Sequence, residues 1–419
     1  MKVTRRNALT LAAAAFAGSA CRTPVAAETA PMAPAAPDPS TIILPDRANF
    51  SPKGIYLNSG SQHPFSKPAS ASLDAYIKHR AAFDPASDYS LNSDGPIEKF
   101  ARLVNADPSE ITYVQSTTAG EQAIVRSLGL PEQGAKIVTD SLHFFGSFPL
   151  YGELERQGYE VSWVKAVDGR IRLEDLDRAI TPGTKLVSLS LVSTVNGFEH
   201  DLKAVCDLAH SRGALVYADI IHAAGCVPVD LHASGVDFAA TATYKWLMGD
   251  FGLGFLYVRK GAMEALTRTN YGYYGISTFT THLYPFDPPG DTPVDYEFSD
   301  DAAGWFALGT HAHSVIALLN ASLDYILDVR VETIQAHATT LTTRLKEGLK
   351  SQGFDVMTPD EARTPIVTAV LENARQRLSP AMKERGITTT LSRNRFRPTV
   401  SVFNTMDDVD AFLEATGSI

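Results

Sequence analysis

Apolar positions along this chain follow two rhythms that alternate from about residue 110 to residue 260. The runs "EITYVQ", "AKIVTD", "EVSWVK", "KLVSLSLVS", "LVYAD", "DFAATA" and "GFLYVRK" have the length and the β-branched or aromatic content of strands. Between them, "TAGEQAIVRSLGL", residues 146–157, "RLEDLDRAI" and "DLKAVCDLAHSRG" read as helices, the last stopped by Gly213. "KLVSLSLVS" is apolar almost throughout, as a strand covered on both faces should be. Alternation on this scale predicts an α/β architecture with a mainly parallel sheet. Two helical stretches, 69–83 and 96–106, precede it. Past residue 300 the pattern changes to long helices at 311–329 and 331–352, a few short strands and a last helix near 405–416. That change predicts a second, smaller α+β domain.

Composition narrows the function. The 419 residues, 44% hydrophobic and 20% charged, suit a large globular core. A net charge of −10 argues against nucleic acid and against anionic membrane surfaces as partners. Three cysteines without CxxC spacing predict neither a disulfide framework nor a zinc site, and no metal is expected. No apolar run is long enough for a transmembrane span in the mature chain. The N-terminus reads as a signal peptide, residues 1–27: Arg5-Arg6, an apolar stretch from Ala8 to Ala20, and Val25-Ala26-Ala27 as a small-residue cleavage site. The paired arginines after Thr4 resemble a twin-arginine signal, which implies export of a folded chain, with the periplasm as the expected location. Cys21 raises a lipoprotein reading, but Gly18 stands where such sites usually carry Leu. Residues 28–41 are rich in Ala and Pro and read as a linker.

The candidate chemistry starts at "DFAATATYKWLMGDFGLGFLYV", where Lys245 stands alone among small and apolar residues. Such a lysine is usually a solvated strand-end residue. Asp219 changes the picture, because it ends the strand "LVYAD", and ligands of parallel sheets bind at the carboxyl ends of strands. An amine and a carboxylate delivered to one sheet edge suit pyridoxal phosphate (PLP). That cofactor needs a lysine for a Schiff base and an acid to keep its pyridinium nitrogen protonated. An apolar setting favours the nucleophilic, neutral amine. "VQSTTAGEQAIV" puts Ser116, Thr117 and Thr118 between a strand and a helix, a place for the cofactor's phosphate. Neither GxGxxG after the first strand nor GxxxxGK[ST] is present, which sets aside the common nucleotide folds.

The segments "STTAGEQ", "TDSLHFF", "YADIIHAAG", "TYKWLMGDFGLGFLYV", "GTHAH" and "RFRPTVSVFNT", in this order, resemble the class V aminotransferase family of fold-type I PLP enzymes. That family includes cysteine desulfurases, isopenicillin N epimerase and kynureninase, and the likeness runs over roughly residues 50–415. The resemblance implies an N-terminal segment 42–75 packing with the small domain, a large PLP-binding domain 76–298 with a seven-stranded type of sheet, and a small C-terminal domain 299–419. It implies that Lys245 forms the Schiff base and moves the Cα proton, that Asp219 pairs with the ring nitrogen, that His222 faces the ring hydroxyl, and that His143 stacks on the ring. Thr117, Thr118 and Tyr244 would hold the phosphate. Thr310 would serve the phosphate of a neighbouring subunit in a homodimer. Arg397 would grip the α-carboxylate of a small-molecule amino-acid substrate.

The chain also departs from the desulfurase pattern. "RQRLSPAMKERGITTTLSRNRFR" holds no cysteine before Arg397, Thr194 stands where desulfurases often have Asn, and Tyr244 replaces their usual His. Cys206 and Cys226 read as buried structural thiols. The reaction stays open among epimerisation, β-elimination (C–S lyase) and transamination, and a non-catalytic binding relative is the remaining alternative. The aromatic stretch 270–298 reads as a loop covering the substrate.

Overall fold

In the computed structural model the alternating region forms one sheet of seven strands. Residues 42–129 and 135–418 are described, with the backbone of Val3–Thr4. The expected cleavage site, Cys21 and the linker 28–41 lie outside the described residues, as does the expected signal peptide apart from that pair. The N-terminal elements are β1 (Ile55–Leu57), α1 (Lys67–Ala82) and α2 (Gly95–Leu103). The sheet region follows as β2 (Ile111–Val114), α3 (Thr117–Ser127), β3 (Lys136–Asp140), α4 (Phe148–Arg156), β4 (Glu160–Val164), α5 (Leu173–Ala179), β5 (Thr184–Ser190), α6 (Leu202–His210), β6 (Leu215–Asp219), α7 (Leu231–Ser234), β7 (Phe238–Ala242) and β8 (Gly254–Val258). The spatial order is β2-β8-β7-β6-β5-β3-β4. From β7 to β4 all neighbours are parallel, and β8 alone runs against the strands beside it.

Both faces of this sheet are covered, which explains the near-continuous apolar strands. Along β8, Phe255 and Tyr257 face one core while Leu256 and Val258 face the other. The first core takes Phe100 of α2, Leu202 and Val205 of α6, and Ile316 and Leu319 of α9 (His313–Val329). The second takes Ile124 and Val125 of α3, Tyr151 of α4, and Phe306 of α8 (Ala302–Phe306). Phe100 stacks on Phe255 with ring centroids 4.2 Å apart. Helix α2 is shorter than the expected 96–106: Val104 caps it and Asn105 takes a left-handed backbone (φ 51°), ending the helix one turn early.

Within the stretch expected to be a loop covering the substrate, 270–298, two segments form an antiparallel ribbon. Here β9 (Ile276–Thr281) pairs antiparallel with β10 (Val294–Phe298), and the backbone of Val3–Thr4 pairs with β9. The β-branched run "ISTFTT" is the strand former that the aromatic composition masked. Beyond α9 lie α10 (Val331–Ser351), β11 (Asp355–Val356), β12 (Ala369–Val370), α11 (Ala374–Glu384), β13 (Ile387–Leu391), β14 (Arg395–Arg397) and α12 (Met406–Gly417). A second sheet, ordered β11-β12-β14-β13-β1, closes with the N-terminal strand β1 parallel to β13. Leu345, Leu349, Phe396 and Phe412 share its core. No helix among the described residues is long and apolar enough to cross a membrane.

Helix α3 sits close on the sheet because position 120 is a glycine. A Cβ there would lie 2.9 Å from the Ala240 Cβ, with no flexible side chain able to yield. Gly120→Ala is therefore expected to destabilise the protein by about 1–3 kcal/mol through overpacking. Ala240→Gly in the same chain should recover part of the loss. Urea unfolding of the single and double variants measures both.

Candidate active site

Three adjacent parallel strands deliver the site. Ser190 ends β5, Asp219 ends β6, and Lys245 lies in the turn just past β7. Backbone pairing sets Ser190 opposite Asp219 and Asp219 opposite Ala240, so their carboxyl ends are level. The turn carrying Lys245 is held by Met248 N–H to Lys245 O (2.8 Å) and by Thr243 Oγ1 to Asp250 O (2.7 Å). It packs on the loop after β6 at Gly225, where φ is 94° and a Cβ would stand 2.5 Å from the Trp246 carbonyl oxygen. His63 N–H donates to Tyr244 O (2.9 Å), tying the N-terminal segment to the same turn.

Lys245 is 8% exposed and has no ion-pair partner among the described residues. Its Nζ lies 2.9 Å from His222 Nε2. His222 Nδ1 accepts from the Trp246 indole N–H (3.3 Å), and an indole only donates. The proton of a neutral His222 therefore sits on Nε2 and points at the Lys245 nitrogen, which accepts it only as a free amine. Burial pushes Lys245 in that direction, down from 10.5 to about 7, with Asp219 opposing and Arg397 assisting. Burial, then Lys245 and Arg397, hold His222 well below its ordinary value, so it stays neutral.

Asp219 is 2% exposed. Burial raises its carboxyl to about 6, against the pull of His143 and the Ile221 N–H that donates to Oδ1 (2.9 Å). His143 is fully buried in the loop after β3, its Nδ1 2.8 Å from Ser190 Oγ and its Nε2 2.9 Å from Glu121 Oε1. Arg397 comes from β14, in the second sheet. Its guanidinium donates to Thr194 O (2.9 Å), to Thr194 Oγ1 and to Ser61 Oγ (3.2 Å). Its Nε is buried without a partner, and no carboxylate pairs with it among the described residues. Burial lowers it to about 10, and an anionic ligand would find a desolvated, uncompensated guanidinium there.

Helix α3 begins at Thr117, with Ser116 as its cap: the Ser116 hydroxyl accepts from Ala119 N–H (3.1 Å). Thr117 Oγ1 is buried without a partner. Thr118 is half-buried beside it. A helix N-terminus with an unpartnered buried hydroxyl fits a phosphate. Tyr244 stacks on Phe251 at 4.3 Å, with its ring 5.6 Å from Lys245 Nζ. Thr310 is exposed before α9, and no hydrogen bond joins it to this cluster among the described residues. Sequence reasoning did not single out Ser61, Ser190, Trp246 or Glu121. Only Glu121 left a trace: an acid on the apolar, sheet-facing side of α3.

The thiols stand apart from this chemistry. Cys206 and Cys226 are free and buried; burial raises Cys206 to about 12 and holds Cys226 well above the ordinary thiol value.

A model of the family described as aminotransferase class-V matches residues 74–412. The chain belongs to that family. It is thus a PLP-dependent enzyme, and the orphaned Thr117 hydroxyl, the desolvated Lys245 and the buried Asp219 fit that cofactor. An uncharacterized aminotransferase of Bacillus subtilis, YcbU, is 24% identical over 362 residues, which is 84% of this chain and 91% of that one. A probable cysteine desulfurase of Halalkalibacterium halodurans is 25% identical over 407 residues, 88% of this chain and 93% of its own. Among solved structures, the cysteine desulfurase CsdA of Escherichia coli superposes with a TM-score of 0.79 at 20% identity, covering 90% of this chain and 98% of that one. The cystine C-S lyase C-DES, solved with its product cysteine persulfide, gives 0.76 at 18% identity, covering 88% and 98%. Both superpositions bear out the α/β fold with its large sheet.

The free amine of Lys245 is the species that captures the cofactor's aldehyde, and it dominates above about pH 7. PLP uptake by the apoprotein, followed by visible absorbance, should therefore accelerate through about pH 7 and level off above it. An exposed lysine would delay that rise to roughly pH 10.

Proposed function

We propose that this enzyme is a lyase that eliminates a sulfur leaving group from Cβ of an α-amino acid. The observation that carries this reading is the contrast between Lys245 and His143 as proton acceptors. Lys245 presents a desolvated amine, whereas both ring nitrogens of His143 are engaged, by Glu121 and Ser190. One base working on one face suits elimination, while inversion at Cα is served best by a second base opposite. The names of relatives that include a cystine C-S lyase and several cysteine desulfurases support the same reading.

When bound, PLP supplies the electron sink that lets a proton leave Cα. Lys245, Asp219, His143, His222, Tyr244, Thr117 and Thr118 are the residues that would hold it. In this reading Arg397 binds the α-carboxylate and fixes the substrate's orientation. Lys245 takes the Cα proton, and the neutral His222 beside it keeps the amine oriented through its Nε2–H. The Cβ–S bond then breaks with its electron pair leaving on sulfur, and the released three-carbon enamine acid tautomerises and takes up water to give a 2-oxo acid and ammonium. Among the described residues the thiols Cys206 and Cys226 are buried and offer no acceptor, so in this reading the sulfur leaves in a small molecule rather than on an enzyme thiol. Thr310, exposed on the loop before α9, is placed by this reading at the phosphate of a partner subunit in a homodimer, and the Arg5-Arg6 leader is proposed to carry the folded enzyme out of the cytoplasm.

Incubation with L-cystine and L-cysteine should give a 2-oxo acid, ammonium and reduced or persulfidic sulfur in equal amounts. Accumulation of a D-amino acid would instead identify an epimerase, and consumption of an added 2-oxo acid without sulfur release a transaminase. Lys245→Ala should abolish both turnover and the cofactor's bonded absorption band. Arg397→Ala should raise KM by roughly 10- to 100-fold, the worth of a charge-assisted bond pair, with cofactor affinity nearly unchanged.

A further inference from the structure

Glu121 is a buried carboxylate, 1% exposed, on the sheet-facing side of α3. Ser147 Oγ reaches its Oε2 at 2.5 Å; Tyr151 OH reaches its Oε1 at 2.6 Å, and Ser188 Oγ the same oxygen at 3.3 Å. No lysine or arginine pairs with it among the described residues, and its one basic partner is His143 Nε2 at 2.9 Å. Tyr151 OH lies equally close to Ser188 Oγ (2.6 Å), so its one proton goes to either oxygen; donation by these hydroxyls together suits an ionised carboxylate, and the counter-charge in reach among the described residues is a His143 imidazolium.

The other side of the imidazole gives the same answer. His143 Nδ1 lies 2.8 Å from Ser190 Oγ, which also accepts from Phe144 N–H (3.1 Å) and lies 3.5 Å from Asp219 Oδ2. A serine hydroxyl has one proton and two lone pairs. If His143 is neutral with its proton toward Glu121, Ser190 must spend its proton on Nδ1 and none reaches Asp219. If His143 is an imidazolium, Nδ1–H and Phe144 N–H fill the two lone pairs, and the hydroxyl proton goes to Asp219. The second arrangement also gives Asp219 a donor, at the 3.5 Å limit of a hydrogen bond.

We propose that Glu121 is a positioning residue that holds His143 as an imidazolium, and that this cation, through Ser190, keeps Asp219 ionised for the cofactor's ring nitrogen. The titratable groups facing His143 are Glu121 from α3, Asp219 from β6, Asp140 at the end of β3 and Tyr151 from α4. Burial alone would neutralise the imidazole, but Glu121, then Asp219 and Asp140, raise it. Burial likewise opposes an ionised Glu121, and His143 with the hydroxyls lowers it. The step to the cofactor rests on the placement of Asp219 described above; the state of His143 does not.

The test is imidazole nitrogen NMR of histidine-labelled, cofactor-free full chain at pH 7.5, with His143 assigned by His143→Gln. The wild type should show an imidazolium at His143, Glu121→Gln a neutral ring, and Glu121→Asp a recovered cation. Ser190→Ala should keep the cation but break the link to Asp219. A neutral His143 in the wild type, or an unchanged cation in Glu121→Gln, overturns the proposal. The second readout is PLP affinity against pH. Loss of the cation raises the Asp219 carboxyl, so affinity should fall at higher pH as the solution is acidified. The midpoint should rise from about 6 by about one unit in both Glu121→Gln and Ser190→Ala, a roughly fivefold weaker affinity near pH 6 that approaches tenfold below it. An unmoved midpoint in both overturns the link to Asp219. Should Glu121→Gln fail to fold, the wild-type nitrogen shifts and Ser190→Ala still decide each half. Failure of the wild type to bind PLP at all would count against the cofactor placement and leave the His143 result standing.

Discussion

Water is kept from the carboxyl ends of β5, β6 and β7, and the chemistry of the site follows from that exclusion. An amine and a carboxylate lie at the same edge, both less than a tenth exposed, yet no ion pair joins Lys245 to Asp219. Had they paired, each would be fixed in its charged form and the lysine would be a poor nucleophile. Instead desolvation moves both toward neutrality, Lys245 down to about 7 and Asp219 up to about 6. A free amine and an ionised carboxylate therefore coexist above about pH 7. The alternating side chains of β8 and the helices on both sheet faces are what keep solvent away.

Neighbouring groups then restore charge selectively. The His222–Trp246 pair is neutral throughout and leaves Lys245 uncharged. The Glu121–His143 pair carries opposite charges that compensate each other and connects to Asp219 through Ser190. A fully buried ion pair rarely adds stability over apolar packing, so its presence here is better understood through what it does to its neighbour than as a brace.

The architecture was legible because its physics is repetitive. Runs such as "KLVSLSLVS" and "DFAATA" are strands buried on both sides, and Asp219 and Lys245 could be placed at strand ends from their positions after those runs. The ribbon at 276–298 was missed because exposed aromatics drew attention from the β-branched alternation beneath. The polar wiring was less visible. Ser190 and Ser61 are ordinary residues whose roles depend on partners 29 and 336 positions away, and no local pattern encodes such pairings. Glu121 was detectable in principle, as a carboxylate in an apolar register, but its pairing with His143, itself singled out from the sequence, was not.

The Ser61–Arg397 bond joins residues from near opposite ends of the described chain, and His63 to Ser401 does the same. Strand β1 lies parallel to β13, so this joint is part of the second sheet and not a surface afterthought. The order of assembly on the ribosome follows. The strands bearing Asp219 and Lys245 are synthesised before the strand that carries Arg397, and the grip on a carboxylate exists only once that strand has joined the N-terminal segment. A nascent chain therefore passes through a stage in which it has its reactive amine but no carboxylate grip, and selectivity is the last property the enzyme acquires.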